Sequence, residues 1–184
     1  MIQFNLFEPT QITSFSNKRY FITFLNKFSK WLEIECLLFK NNAFKTFKHY
    51  LIKKERNSFK KLKTLRTNNK TETYNFCFKK RIKSEKIASY AYEQVDAAEY
   101  INLRLLNKIW ALLFIAKLSI KFWAEALYAV VYLYNWISYA LLNYRSLYEI
   151  KYGKKPNLEN IKIWGSIVYN RIDNAKKLDK WVKL

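Results

Sequence analysis

"YFITFL", beginning at Tyr20, and "WLEIECLL", beginning at Trp31, are short runs of aromatic and β-branched residues separated only by "NKFSK". Runs of this kind fit a pleated, half-buried surface. A link so short joins antiparallel neighbours, because a parallel crossover needs a dozen residues or more. The hairpin they predict fixes one side of a sheet. Around it the order of elements narrows the fold further. "IQFNLF" from Ile2 reads as a strand ahead of the hairpin. A helix is predicted over 41–56, where Phe44, Phe47, Tyr50 and Leu51 recur at three- and four-residue spacing. Next come the strand "KLKTLRT", a short helix near Tyr74 to Lys80, and a strand around Lys86 to Tyr90.

The second half reads as helical. One helix runs from Gln94 to about Leu118 with Ala98, Ile101, Leu105, Trp110, Leu113 and Ile115 as apolar positions, and another follows "AKLSIKF" and ends near Tyr139. The tail offers a helix, "SLYEIKYG", a Gly-Lys-Lys-Pro turn and a last strand, "IKIWGSIVY". This order predicts an α/β fold, a mixed sheet of about five strands flanked by helices, with a short C-terminal helix-strand extension. The division expected is a core over 1–140 and an extension over 141–184. Between Ala126 and Tyr144 no residue is charged, about the length of a membrane span. Asn135, Ser138 and Asn143 interrupt it and its Tyr residues are spread along it, so it reads as a buried helix and no membrane partner is expected.

Charge bounds the partners. The chain has 34 Lys+Arg against 14 Asp+Glu, a formal net charge of +20. Such a surplus draws a protein to polyanions, and nucleic acid is the first of these. Two basic runs carry much of it, "KKERNSFKKLKTLR" from Lys53 and "FKKRIKSEK" from Phe78. In the first, Lys60, Lys61, Lys63 and Arg66 are candidate phosphate contacts; Lys70, Lys79, Lys80 and Arg81 extend the set. The alternative reading of these runs is an ordinary solvated face. Cys36 and Cys77 stand far apart with no CxxC partner, which indicates neither a disulfide framework nor a zinc site and fits a reducing intracellular setting. His49, the one histidine, sits among lysines on a helix surface and reads as solvated. No small-molecule site is indicated. Only two Gly and two Pro occur, so the usual turn residues are scarce.

"KFWAEALYAVVYLYN" from Lys121, followed by "SLYEIKYGKKPNLENIKIWGSIVY" from Ser146, resembles the integrase of copia-type retrotransposons. There a Phe-Trp-x-Glu-Ala helix precedes a Tyr-Glu-x-x-x-Gly-x-Lys-Pro turn and a Phe-Gly-containing strand. "KRYFITFLNKFSKW" from Lys18 is similar to the same family's hairpin, with Asn26 and Lys27 where two acids are usual. The likeness spans nearly the whole chain in the family's order.

The resemblance implies a ribonuclease-H-like fold in which three carboxylates hold two Mg²⁺ or Mn²⁺ ions, DNA as the substrate, a nuclear location and an oligomeric state. Carboxylates suit that work because the metals must activate a hydroxyl and stabilise the phosphorane and its leaving oxygen. The family's first Asp lies in Asp-Leu-x-Gly-Pro, matched by "NLFEP", so Asn5 stands at that position and Glu8 at the glycine. Its second lies in Leu-Arg-Ser-Asp-Asn-Gly-Gly-Glu, matched by "LRTNNKTE", so Asn68 stands there, with Lys70 two residues on. Its Glu is kept as Glu99 in "SYAYEQVDAAEYIN", alongside Tyr90, Gln94, Ala98 and Asn102.

Two of the three metal carboxylates are thus amides, and Glu99 alone remains as a metal ligand. An amide gives a cation one neutral oxygen, so the site has lost two negative charges. The expectation is an integrase-like chain that binds nucleic acid and does not hold the metals productively. The family's upstream His/Cys module and longer downstream region have no counterpart in the sequence, which reads as a truncated frame. Two alternatives stand beside this reading: a non-enzymatic basic DNA- or RNA-binding module, and a decayed relic of an element.

Overall fold

A computed structural model describes residues 1–8, 10–58, 61–67, 71–86, 97–167, 169–171 and 181–183. Its centre is a five-stranded sheet of β1 (Ile2–Phe7), β2 (Tyr20–Asn26), β3 (Leu32–Leu37), β4 (Thr64–Thr67) and β5 (Lys83–Lys86), in the order β3-β2-β1-β4-β5. β1, β2 and β3 pair antiparallel, with Asn5 opposite Thr23 and Thr23 opposite Ile34. β4 pairs parallel with both β1 and β5. The hairpin across "NKFSK" is therefore present, closed by the Asn26 N–H donating to Trp31 O at 2.9 Å.

Helices cover both faces. On one, α1 (Ala43–Ser58) and α2 (Thr71–Lys79) set Phe47, Leu51 and Cys77 against Phe4, Ile22, Phe24 and Leu65. On the other, α3 (Ala97–Ala116) and α4 (Trp123–Trp136) set Leu105, Ile109, Leu127 and Val130 against Phe21, Leu25, Leu32 and Ile34. Phe21 and Leu25 thus point to one face and Ile22 and Phe24 to the other, which is why the β2 run is apolar without a break. α4 is 14 residues long and ends before the uncharged run does. No helix among the described residues is long and apolar enough to cross a membrane. Short pieces complete the chain: β6 (Ser138–Tyr139) with β7 (Arg145–Ser146), α5 (Leu147–Tyr152), and β8 (Tyr169–Arg171) with β9 (Trp181–Lys183). Glu33 on β3 ties α5 inward. Its Oε1 accepts from Trp31 Nε1 at 2.6 Å and pairs with Lys54 of α1 and, at 3.7 Å, with Lys151 of α5.

Two expectations need correction. The strand expected at Lys86 to Tyr90 begins earlier, at Lys83, and positions 87–90 lie outside the described residues. "IKIWGSIVY" is not one strand. Its first part makes a turn in which the Ser166 N–H donates to Ile163 O at 3.2 Å, with Gly165 at φ +83°. A positive φ at the third residue is the geometry of a type II turn, which glycine takes without strain. Trp164 then packs against the α3–α4 core, and a Cβ on Gly165 would stand 2.5 Å from that of Ala116.

The scarcity of glycine shows in the helix ends. After α2 the Ile82 N–H donates to Cys77 O and the Arg81 N–H to Phe78 O; after α3 the Leu118 N–H donates to Leu113 O and the Lys117 N–H to Phe114 O. Both are Schellman caps, whose left-handed residue is usually glycine. Here Arg81 and Lys117 take it, at φ 55° and 53°. Each side chain in that conformation costs about 1 kcal/mol. Arg81→Gly and Lys117→Gly are therefore expected each to raise stability by roughly 0.5–1 kcal/mol, read as a higher midpoint in urea unfolding with an unchanged slope. Lower midpoints would contradict the assignment.

Candidate active site

Because β1 and β4 run parallel, with Phe4 opposite Thr67, their C-terminal ends lie side by side. An open cleft of about 350 Å³ sits there, at the classic position for a site built from strand ends. It is lined by Asn5 and Glu8 from β1 and the residue after it, Thr67 from the end of β4, Glu72 and Thr73 from the start of α2, and Lys40 from the turn ahead of α1. Asn5 is buried, and its backbone oxygen accepts from Thr23 Oγ1 at 3.5 Å. The structure thus places Asn5 and Thr67 together on this cleft. Asn68 follows Thr67 directly and, with Lys60 and Lys70, lies outside the described residues. Glu99 is in the first turn of α3, which packs across β1 and β2; its side chain lies outside them too.

Sequence reasoning missed the cleft's own charges. Lys40 Nζ stands 3.4 Å from Glu8 Oε1, a pair that links positions 32 apart in the chain. Glu8 had a signal, since it stands at a family glycine. Lys40 had none, because nothing local to it predicts its neighbour. Gln3, which the sequence did not mark, belongs to a polar group with Arg66 and Asn102, which it marked for other roles. Gln3 and Arg66 are direct partners across β1 and β4, and Gln3 and Asn102 are buried. Arg66 Nε and Asn102 Oδ1 have no hydrogen-bond partner among the described residues.

These residues do not fit a pair of divalent cations. Asn5 and Asn68 supply neutral amide oxygens where hard, anionic ligands are required. The Glu8 carboxylate already faces an ammonium. Among the described residues no three His, Cys, Asp or Glu side chains stand close enough to hold a metal ion. Thiol chemistry has no place either: burial pushes the Cys36 thiol up to about 12 and the Cys77 thiol up as well, so neither is a ready thiolate at neutral pH.

The basic candidates fall elsewhere. Lys61, Lys63, Lys79, Lys80 and Arg81 are all exposed. The Lys83 N–H donates to Lys63 O at 2.9 Å, so these side chains gather where β4 and β5 begin. From Lys63 to Thr67 is four strand residues, roughly 13 Å. The basic group therefore lies at the end of the parallel strands opposite the cleft. Arg66 is set apart from the group, half-buried within β4.

Comparison with known proteins bears on the same features. The chain is 27% identical over 178 residues to "Retrovirus-related Pol polyprotein from transposon TNT 1-94" of Nicotiana tabacum, a match over 93% of this chain and 13% of that protein. The chain thus spans a small part of its curated relative. No family model matches. Among solved structures, a chain of the simian T-cell lymphotropic virus intasome in complex with PP2A regulatory subunit B56 gamma superposes with a TM-score of 0.60 at 11% identity, over 98% of this chain and 66% of that one. The HTLV-2 integrase catalytic core domain, solved in complex with magnesium in a trimeric form, does so with a TM-score of 0.54 at 15% identity, over 80% of this chain and 94% of that one. Sequence similarity to a retrotransposon Pol polyprotein and the fold of a retroviral integrase catalytic core thus coincide in one chain. Its mixed five-stranded sheet is of the ribonuclease-H-like type those cores share.

Proposed function

We propose that this chain is an integrase-type catalytic core of retrotransposon origin that holds nucleic acid and has lost metal-dependent DNA cleavage and joining. One observation carries the reading: Asn5 lines the cleft at the ends of β1 and β4, where the resemblance calls for a metal-binding Asp. With Asn68 following on β4 and Lys40 paired to Glu8, the cleft is short of the negative charge two cations need. What the chain's own residues supply is a positive surface. Lys61, Lys63, Lys79, Lys80 and Arg81 suit contact with successive phosphates, and their distance from the cleft favours binding without reaction at the site.

The test has two arms. Purified protein, a labelled DNA end and Mg²⁺ or Mn²⁺ are expected to give no processed or joined product, whereas robust joining would sink the inactive reading. Duplex DNA binding is expected to weaken with salt, log K falling against log salt with a slope of roughly −3 to −5, as several phosphates shed their counterions. Replacing Lys61, Lys63 and Lys79 with Gln is expected to flatten that slope by about 2–3. A slope unchanged by those substitutions would place the binding surface elsewhere.

A further inference from the structure

The turn between β2 and β3 holds one phenyl ring out in solvent. Phe28 is exposed by 94%, more than any other large apolar side chain among the described residues. The turn beneath it is closed by hydrogen bonds on every side. Asn26 Oδ1 accepts from the Phe28 N–H at 3.0 Å and the Ser29 N–H at 3.3 Å, and Ser29 Oγ accepts from the Trp31 N–H at 3.4 Å. The Lys27 N–H donates to Met1 O at 3.1 Å, and Lys30 completes the turn in the left-handed conformation at φ 57°. A ring fixed this way gives up little freedom when it docks. Lys27 and Lys30 flank it, and neither forms an ion pair among the described residues.

The sheet decides what else surrounds the ring. Asn26, Ile2, Leu65 and Ser84 stand in one row across β2, β1, β4 and β5. Phe28 follows Asn26 by two residues and Lys63 precedes Leu65 by two, so both lie past the same end of the sheet. β2 and β4 are two strand spacings apart, roughly 10 Å. The ring therefore shares its end of the molecule with Lys61, Lys63, Lys79, Lys80 and Arg81. An apolar ring set among cations is complementary to a body that is anionic outside and flat and apolar within, which describes stacked bases behind their phosphates. The grooves of a duplex are about 6 and 12 Å wide, so a ring and lysines at this spacing reach a base step and its flanking phosphates together. A lone ring offers a lipid leaflet little apolar area, whereas a single inserted side chain is enough to open a base step.

We infer that Phe28 is a wedge that enters a base step of the nucleic acid held at the basic end, with Lys27 and Lys30 on the phosphates beside it. The inference rests on that end being the nucleic-acid surface, and it adds a contact to bases that lysines on phosphates do not make. Insertion breaks stacking at one step, at least cost where the step is already weakened. The parent is therefore expected to bind a duplex with one central T·T mismatch about three- to tenfold more tightly than the matched duplex, read by fluorescence anisotropy. A 2-aminopurine beside the mismatch is expected to brighten on binding as its stacking is broken. Phe28→Ala is expected to bind both duplexes equally and to give no brightening. Its salt slope and thermal melt stay those of the parent, because the ring is uncharged and exposed. Phe28→Trp keeps the preference for the mismatch. A preference and brightening that survive Phe28→Ala, or a parent with neither, would overturn the wedge while leaving the phosphate contacts standing. A parent that binds no DNA would overturn both readings. Capture of the parent by phosphatidylserine vesicles, lost in Phe28→Ala while the two proteins bind DNA alike, would assign the ring to a membrane and overturn the inference too.

Discussion

The doubly substituted chain Asn5→Asp, Asn68→Asp is expected to bind Mn²⁺ at least about tenfold more tightly than the parent, a gain of roughly 1.4 kcal/mol or more. Asn5 lies on β1 one residue past Phe4, and position 68 follows Thr67, the partner of Phe4 across β1 and β4, in the sequence. Each substitution replaces a neutral amide oxygen with a carboxylate that binds a hard cation through charge. The change is nearly isosteric, so the fold is not at risk. Residual weakness has a stated source, the Lys40 ammonium beside Glu8 and the Lys70 side chain two residues beyond Asn68. Adding Lys70→Gly to the pair therefore raises the affinity again. Calorimetric titration of parent, double and triple variants checks the order. A parent that binds Mn²⁺ as tightly as the double variant would show that the amides are not what the site lacks.

Asn135→Leu is expected to destabilise the protein by about 2–5 kcal/mol, the cost of stranding two buried backbone groups. Asn135 lies on the buried face of α4, and its carboxamide does the work of a missing strand. Its Oδ1 accepts from the Leu32 N–H at 3.1 Å and its Nδ2 donates to Leu32 O at 2.7 Å. β3 is the edge of the sheet, so among the described residues no strand neighbours its outer backbone groups. Leucine has the same branched shape and satisfies neither group. A thermal melt is expected to fall by roughly 5–15 °C for a chain of this size. Asn75→Ala, at an exposed position on α2, is expected to stay within about 0.5 kcal/mol of the parent. Equal effects at the two positions would remove the case for a bridging role.

Asn135 also shows why sequence and structure divide as they do. In the sequence it is a polar interruption that argues against a membrane span. Only the docking of α4 along β3 reveals that the interruption is a backbone partner 103 positions from the residue it serves. The Trp164-Gly165 turn is a similar case. Its residues read as a strand by composition, yet the tail must turn where Trp164 meets the α3–α4 core and Gly165 meets Ala116.

What the sequence determined by itself were properties set by neighbours a few residues apart. Runs of aromatic and β-branched residues marked the strands and the hairpin, three- and four-residue spacing marked the helices, and residue identity put amides at positions 5 and 68. The tertiary structure alone decided which of these groups meet. Parallel pairing of β1 with β4 brings Asn5 to the mouth of the cleft, and the same direction of β4 carries Lys63 and its basic neighbours to the far end. Strand direction is a property of long-range backbone hydrogen bonds, to which side-chain pattern along one strand is blind.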